Sequence, residues 1–176
     1  SGELLHRAKL LGMPLAVVGE TKPSLASKEL SRREVDFSRS PVVVDLSSMW
    51  AGPLCSWYLM RSGAKVIKIE SVLRPDGTRK GSSAFHRRLK QGKEVVTLDF
   101  ADTKDIEQLR NIIRGADIVI EGSRPRALEQ LGIAAEEEVA RGAIWCSITG
   151  YGRDSDPQRV GFGDDAAAGA NLVAEV

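Results

Sequence analysis

The sequence predicts an α/β domain built on a parallel sheet buried on both faces. Residues 42–46, 64–70, 94–100, 116–122 and 142–150 form five short runs rich in Val, Ile and Leu. Segments with helical periodicity or Gly/Pro punctuation separate them, and near-continuous apolar strands alternating with helices are the mark of βαβ construction.

Taken in order, residues 3–11 carry Leu4, Leu5, Ala8 and Leu11 at helical spacing, with Gly12 placed to stop the helix. "MPLAVVGE" reads as a short strand, and the polar, proline-containing residues 20–40 read as a linker. The expected division is therefore a helix, short strand and linker over 1–40, followed by an α/β region over 41–176. Residues 42–46 form the first strand, 52–61 a helix ended by Ser62-Gly63, and 64–70 the second strand. Residues 71–93 are rich in Gly, Pro and charge, so a long loop with at most a short helix is expected. The third strand follows. In 103–114, Ile106, Leu109, Ile112 and Ile113 share one helix face, with Asp102 or Thr103 as N-cap. The fourth strand leads to a short helix with Pro125 in its first turn, and "GAIWCSITG" is the fifth strand.

Composition narrows the function. Lys and Arg number 25 against 24 Asp and Glu, so no global field favours nucleic acid or a membrane surface, and an anionic ligand must be held by local geometry. No apolar run reaches the ~18 residues of a bilayer span. Cys55 and Cys146 lack CxxC spacing, which points to buried apolar thiols in a reducing, cytoplasmic setting rather than a disulfide or zinc framework.

In an open parallel sheet, ligands bind beyond the carboxyl ends of the strands. The candidates there are 47–53 after the first strand, Glu70-Ser71 after the second, Asp99-Phe100 after the third, and 121–126 after the fourth. The Ala51-Gly52-Pro53 elbow is either a cradle for a phosphate or planar ring, or a tight strand-to-helix turn with Trp50 packing locally. Arg124 and Arg126 flank a helix start that suits an anion or solvent alike. "FHRRLKQGK" offers His86, Arg87, Arg88, Lys90 and Lys93 as a basic patch. The sequence has no GxGxxG and no P-loop, and neither histidine is placed for a hydrolytic triad. Asp154, Asp156, Asp164 and Asp165 lack metal-ligand spacing, so no metal is expected.

The ordered segments "VVVDLSSMWAGPLCSWYLMRSGAKVIKIE", "RPDGTR", "GKEVVTLDF", "ADIVIEGSRPRALEQLG" and "WCSITGYG" resemble the N-terminal half of the class III CoA-transferases, a family that also holds acyl-CoA racemases. The resemblance implies a Rossmann-like sheet with helices on both faces, coenzyme A as a substrate, acyl-CoA and a carboxylic acid as partners, and an interlocked homodimer. It places CoA contacts at Trp50 and Ala51 on the adenine side, at Leu98, Asp99, Phe100 and Ala101, and at Gly122, Ser123 and Arg124. It implies covalent catalysis by an aspartate beyond Val176, so the family segment is expected to be truncated, with Asp164 a supporting acid.

Several positions depart from the family pattern. Ser71 and Gln130 stand where arginines are usual, Gly122-Ser123 where Asn-Phe is usual, and Gly163 where the racemases carry a histidine. These swaps remove charge and stacking surface. They predict weak CoA binding, disfavour a racemase, and leave a non-catalytic CoA-binding or scaffold paralogue as the alternative. "ELLHRAKLLGMPLAVVGE" resembles the closing helix and strand of the family, placed ahead of its opening strand.

Overall fold

The structure is a computed structural model that describes residues 2–22 and 38–173. Contacts divide the chain into two compact units, one of residues 29–123 and 127–148, the other of 1–28, 124–126 and 149–176.

The larger unit holds the sheet. Its strands are β1 (Val42–Asp45), β2 (Lys65–Ser71), β3 (Glu94–Leu98), β4 (Ile118–Glu121) and β5 (Ile144–Ser147), all parallel, in the order β3-β2-β1-β4-β5. The five expected strands are all present, and the topology is the Rossmann-like one. Side chains alternate between two cores, as strand geometry requires. Val44, Ile69, Leu98 and Val119 meet Leu109 and Ile113 of α4 (Thr103–Arg114) and Leu128 of α5 (Pro125–Glu129) on one face. Val43, Val66 and Ile120 meet Leu59 and Met60 of α2 (Ala51–Arg61) on the other. Asp102 caps α4 by accepting from Lys104 N at 2.8 Å, and Pro125 opens α5, where a missing N–H costs no hydrogen bond.

Three expectations need correction. Residues 71–93 hold the short helix allowed for, α3 (Ser83–Lys90), capped by the Ser82 hydroxyl, but also a 3₁₀ turn (Gly77–Lys80), and buried Asp76, Thr78 and Leu89 anchor the segment as a loop would not be. Cys55 and Cys146 are exposed thiols, Cys55 on α2 and Cys146 on the edge strand β5 beside exposed Ile144. Residues 13–20 pair with no strand among the described residues.

The smaller unit explains that last point. After α1 (Gly2–Leu10), the amides of Gly19 and Thr21 bond to the carbonyls of Ala168 and Gly169 at the end of α7 (Gly163–Gly169), groups a helix terminus leaves open. Buried Arg159 donates to Leu15 O at 2.7 Å and Glu20 Oε1 at 2.5 Å, and lies 3.5 Å from the centre of the Tyr151 ring. The Arg159 bond holds Glu20 below the usual carboxylate range, while burial and the Asp165 hydrogen bond push Tyr151 up to about 12. Of the α1 stripe only Ala8 is buried, Leu4 and Leu11 being exposed. The linker expected over 20–40 falls largely outside the described residues. Between β4 and β5 the larger unit also holds α6 (Ala135–Ala140).

An ionic cluster lies between the sheet and α2. Asp45 and Lys68 are direct partners in the β1/β2 register and point to the α2 face. Asp45 is fully buried, and its Oδ2 accepts from Ser56 Oγ at 2.5 Å and from Lys93 Nζ at 3.2 Å. Lys68 lies 3.6 Å from its Oδ1. Burial alone would raise the Asp45 carboxyl, but Lys68, the Ser47 and Ser56 hydroxyls and Lys93 outweigh it and hold the group below its ordinary value. Burial pushes both lysines down, against the pull of the carboxylate.

Replacing Asp45 by Asn would leave two buried ammonium groups without a counter-charge. The Asp45→Asn variant is expected to lose about 3–5 kcal/mol of stability in urea unfolding. Because the folded carboxyl is depressed, its contribution is present above about pH 4 and lost as pH falls through the folded value. A variant within 1 kcal/mol of the parent, on the scale of an exposed pair, would contradict this.

Candidate active-site elbow at the β1/β4 switch point

Strand order reverses between β1 and β4, since β2 and β3 extend the sheet to one side of β1 and β4 and β5 to the other. The crevice beyond their carboxyl ends is where such sheets accept ligands. The segment that leaves β1 there is held from below. Ser47 N and Oγ donate to Asp45 Oδ1 at 3.0 and 2.5 Å. Lys68 Nζ donates to Ser47 O and, at 3.3 Å, to Asp45 O. Lys93 Nζ reaches Pro53 O and Ser56 Oγ, both at 2.7 Å. The inward carbonyls of the elbow are thus satisfied by two buried ammonium groups.

The outward side is open. Ser48, Met49, Trp50 and Ala51 are exposed, Trp50 to 64%. Trp50 is the N-cap of α2 and makes no side-chain cap, so the first amides of an eleven-residue helix lack a capping side chain. Gly52 is sterically required: a Cβ there would stand 2.0 Å from Ser47 Oγ and 2.9 Å from Ile148 Cδ1. Met49 has φ 70°, a conformation rare for side chains of its kind. Phe85 of α3 meets Trp50 edge-on, with ring centres 6.2 Å apart and planes at 84°.

The end of β4 lies beside this elbow. A Cβ on Gly122 would be 3.6 Å from Ser47 Cα and 3.9 Å from Ser48 N. Glu121, fully buried, accepts from Trp145 Nε1 at 2.8 Å and Ser147 Oγ at 2.6 Å through Oε1. Ser123 Oγ is buried and makes no hydrogen bond among the described residues.

The residues picked out from sequence therefore separate into groups. Trp50 and Ala51 on one side and Gly122 and Ser123 on the other share the switch point. Leu98 and Phe100 turn into the core, while Asp99 Oδ1 accepts from Ala101 N at 2.9 Å and Asp99 N donates to Asp105. This corner lies two strands from β1, roughly 10 Å away. Arg124 is exposed and belongs with the smaller unit. Asp164 is exposed in the first turn of α7.

The basic patch expected over 85–93 does not form as a patch. Lys93 is in the ionic cluster, Lys90 and Arg79 pair with buried Glu70, and His86 bonds to Thr78, leaving Arg87 and Arg88 exposed. Asp45 and Lys68 were not expected at the site, though a charge of each sign inside an apolar strand was the signal, and Lys93 was expected in the basic patch instead of this buried cluster. Two surface depressions lie against α4, and none of the elbow residues lines them. No described helix is long and apolar enough to cross a membrane.

Comparison with known proteins supplies the rest. An acyl-CoA transferase of Fusarium pseudograminearum is 31% identical over 150 residues, covering 74% of this chain and 33% of that protein. The human succinyl-CoA:glutarate CoA-transferase is 29% identical over 141 residues, covering 74% and 32%. A crystal structure of a CAIB/BAIF family protein from Brucella suis superposes with a TM-score of 0.63 at 31% identity, covering 69% of this chain and 36% of that one. The chain spans about a third of the length of these relatives. The family model for CoA-transferase family III matches residues 41–173, from the residue before β1 through the end of the described chain, and the chain belongs to that family.

Proposed function

We propose that this chain is the CoA-binding portion of an acyl-CoA transferase that moves CoA between a CoA thioester and a carboxylic acid. The observation that carries the reading is the elbow itself: an exposed aromatic and uncapped helical amides at the switch point, on a backbone fixed from beneath. Trp50 and Ala51 take a planar face of the ligand, the open amides of α2 favour its anionic groups, and Gly122 admits it to the backbone of β4. Relatives named for succinyl-CoA, formyl-CoA and oxalate chemistry support a thioester and a carboxylate as the two substrates.

Leu98, Asp99, Phe100, Ala101 and Arg124 are secondary contacts in this proposal, because their groups are committed to the core and the α4 cap or lie with the other unit. Asp164 is exposed and serves at most as a supporting acid, the covalent step being assigned to a carboxylate elsewhere in the assembled enzyme. The working form is a homodimer, and the two exposed, unlinked cysteines suit a reducing, cytoplasmic setting.

Calorimetry of CoA against the 176-residue chain tests the site. Binding is expected to be weak, since Ser71 and Gln130 offer no phosphate-pairing charge, and Trp50→Ala should weaken it about tenfold, or ~1.4 kcal/mol. Equal affinity for parent and variant would refute the assignment of Trp50.

A Gly52→Ala change tests the cradle. The new methyl must displace Ser47, so CoA affinity should fall together with about 1–3 kcal/mol of stability, and the double change with Ser47→Gly should recover part of both. Failure of the double variant to recover either would show that the close approach of residues 47 and 52 is not what shapes the elbow.

A further inference from the structure

The buried lysines fix residues 45–47 and 53–56 but leave 48–51, which carry the proposed ligand-facing groups, to be set by something else. Met49 is the residue that must be explained. Among the described non-glycine residues only it and Asn171 have positive φ, and asparagine tolerates that region where methionine does not.

Two neighbours hold it. Met49 N donates to Asp76 Oδ1 at 3.3 Å, and its thioether lies over Gly77, where a Cβ would be 2.7 Å from Sδ. Asp76 is itself buried and oriented, because its Oδ1 also accepts from Thr78 N at 2.9 Å and Thr78 Oγ1 at 2.8 Å. The single Thr78 hydroxyl hydrogen is thereby used, so the 2.7 Å contact to His86 Nδ1 has the imidazole N–H donating to Thr78. His86 follows Phe85, the residue against the Trp50 ring. Two routes therefore run from Asp76 to Trp50, one through the Met49 backbone and one through Thr78, His86 and Phe85.

We propose that Asp76 is a positioning residue that latches Met49 in the left-handed conformation and so presets Trp50 for the CoA ligand. The inference rests on the site reading above. Its function is preorganisation: a ring already aimed at the ligand loses less freedom on binding.

The test labels the three tryptophans of the 176-residue chain with 5-fluorotryptophan, assigns Trp50 by its loss in Trp50→Phe, and follows fluorine NMR with and without CoA. In Asp76→Ala the Trp50 resonance should shift and broaden while those of Trp57 and Trp145 stay, and CoA affinity should fall about tenfold. Asp76→Asn, which keeps the acceptor, should resemble the parent. Adding Met49→Gly to Asp76→Ala should restore most of the affinity, because glycine takes positive φ without a latch; a loss arising only from the 3₁₀ cap at Thr78 would not be rescued.

An unmoved Trp50 resonance in Asp76→Ala, or a folded double variant with no recovery, overturns the proposal. If Asp76→Ala does not fold, Thr78→Val decides: a broadened Trp50 signal supports the latch and an unchanged one refutes it. If the parent shows no response to CoA at any tryptophan, the site reading fails, and the latch is judged on the ligand-free resonances alone.

Discussion

The structure depends on one buried carboxylate. Asp45 ends the central strand, and a charge there would be costly if it faced only Val and Ile. It is tolerable because Lys68 comes from the next strand in register, Lys93 from the residue before β3, and Ser56 from the first turns of α2. Each of those groups also touches the backbone of the elbow or of the helix that follows. The same interactions that neutralise the charge therefore set the path of residues 45–56, and the position of the site is a by-product of satisfying a buried ion cluster.

This arrangement separates rigidity from recognition. The buried ions that fix residues 45–47 and 53–56 approach from the α2 face of the sheet, so the side toward the strand ends keeps an exposed tryptophan and a helix start with no capping side chain. The neighbouring β4 contributes little side-chain bulk, with Gly122 beside Ser47 and Glu121 turned to Trp145 and Ser147. A large substrate with a planar ring and anionic groups suits a surface of this kind better than a small one needing an enclosed pocket.

Much of the sheet was legible because its strands are apolar runs of the right length, bounded by Gly, Pro or a capping Asp. Where local pattern and tertiary role diverged, the sequence misled. Residues 71–93 look like loop because Gly, Pro and charged residues punctuate them, yet Lys90 and Lys93 are drawn inward by Glu70 and Asp45, contacts that only the folded sheet creates. Residues 13–20 carry a strand-like run, but Gly19 N bonds to a carbonyl of α7 and the amides of Met13, Val17 and Glu20 turn back to Ala8, Glu20 and Val17 instead of to a strand. Helix α6 has no capping side chain to announce it, only Ala134. Trp50, Ala51, Gly122 and Ser123, expected from the strand-end rule and the family resemblance together, lie around the switch point, and their contact with a ligand is the proposal made above. Asp76 was passed over and His86 was read only as part of a basic patch, because the proposed role of each exists only through Met49 and Phe85.

Whether CoA lies on the elbow where β1 and β4 part is decided by mapping amide chemical shifts of the chain during a CoA titration. With CoA on the elbow, the largest changes fall on Ser48, Trp50, Ala51, Gly52, Gly122 and Ser123, with Asp45 and Lys68 nearly still. Changes centred instead on the outer face of α4 or on α7, with the elbow silent, would contradict it.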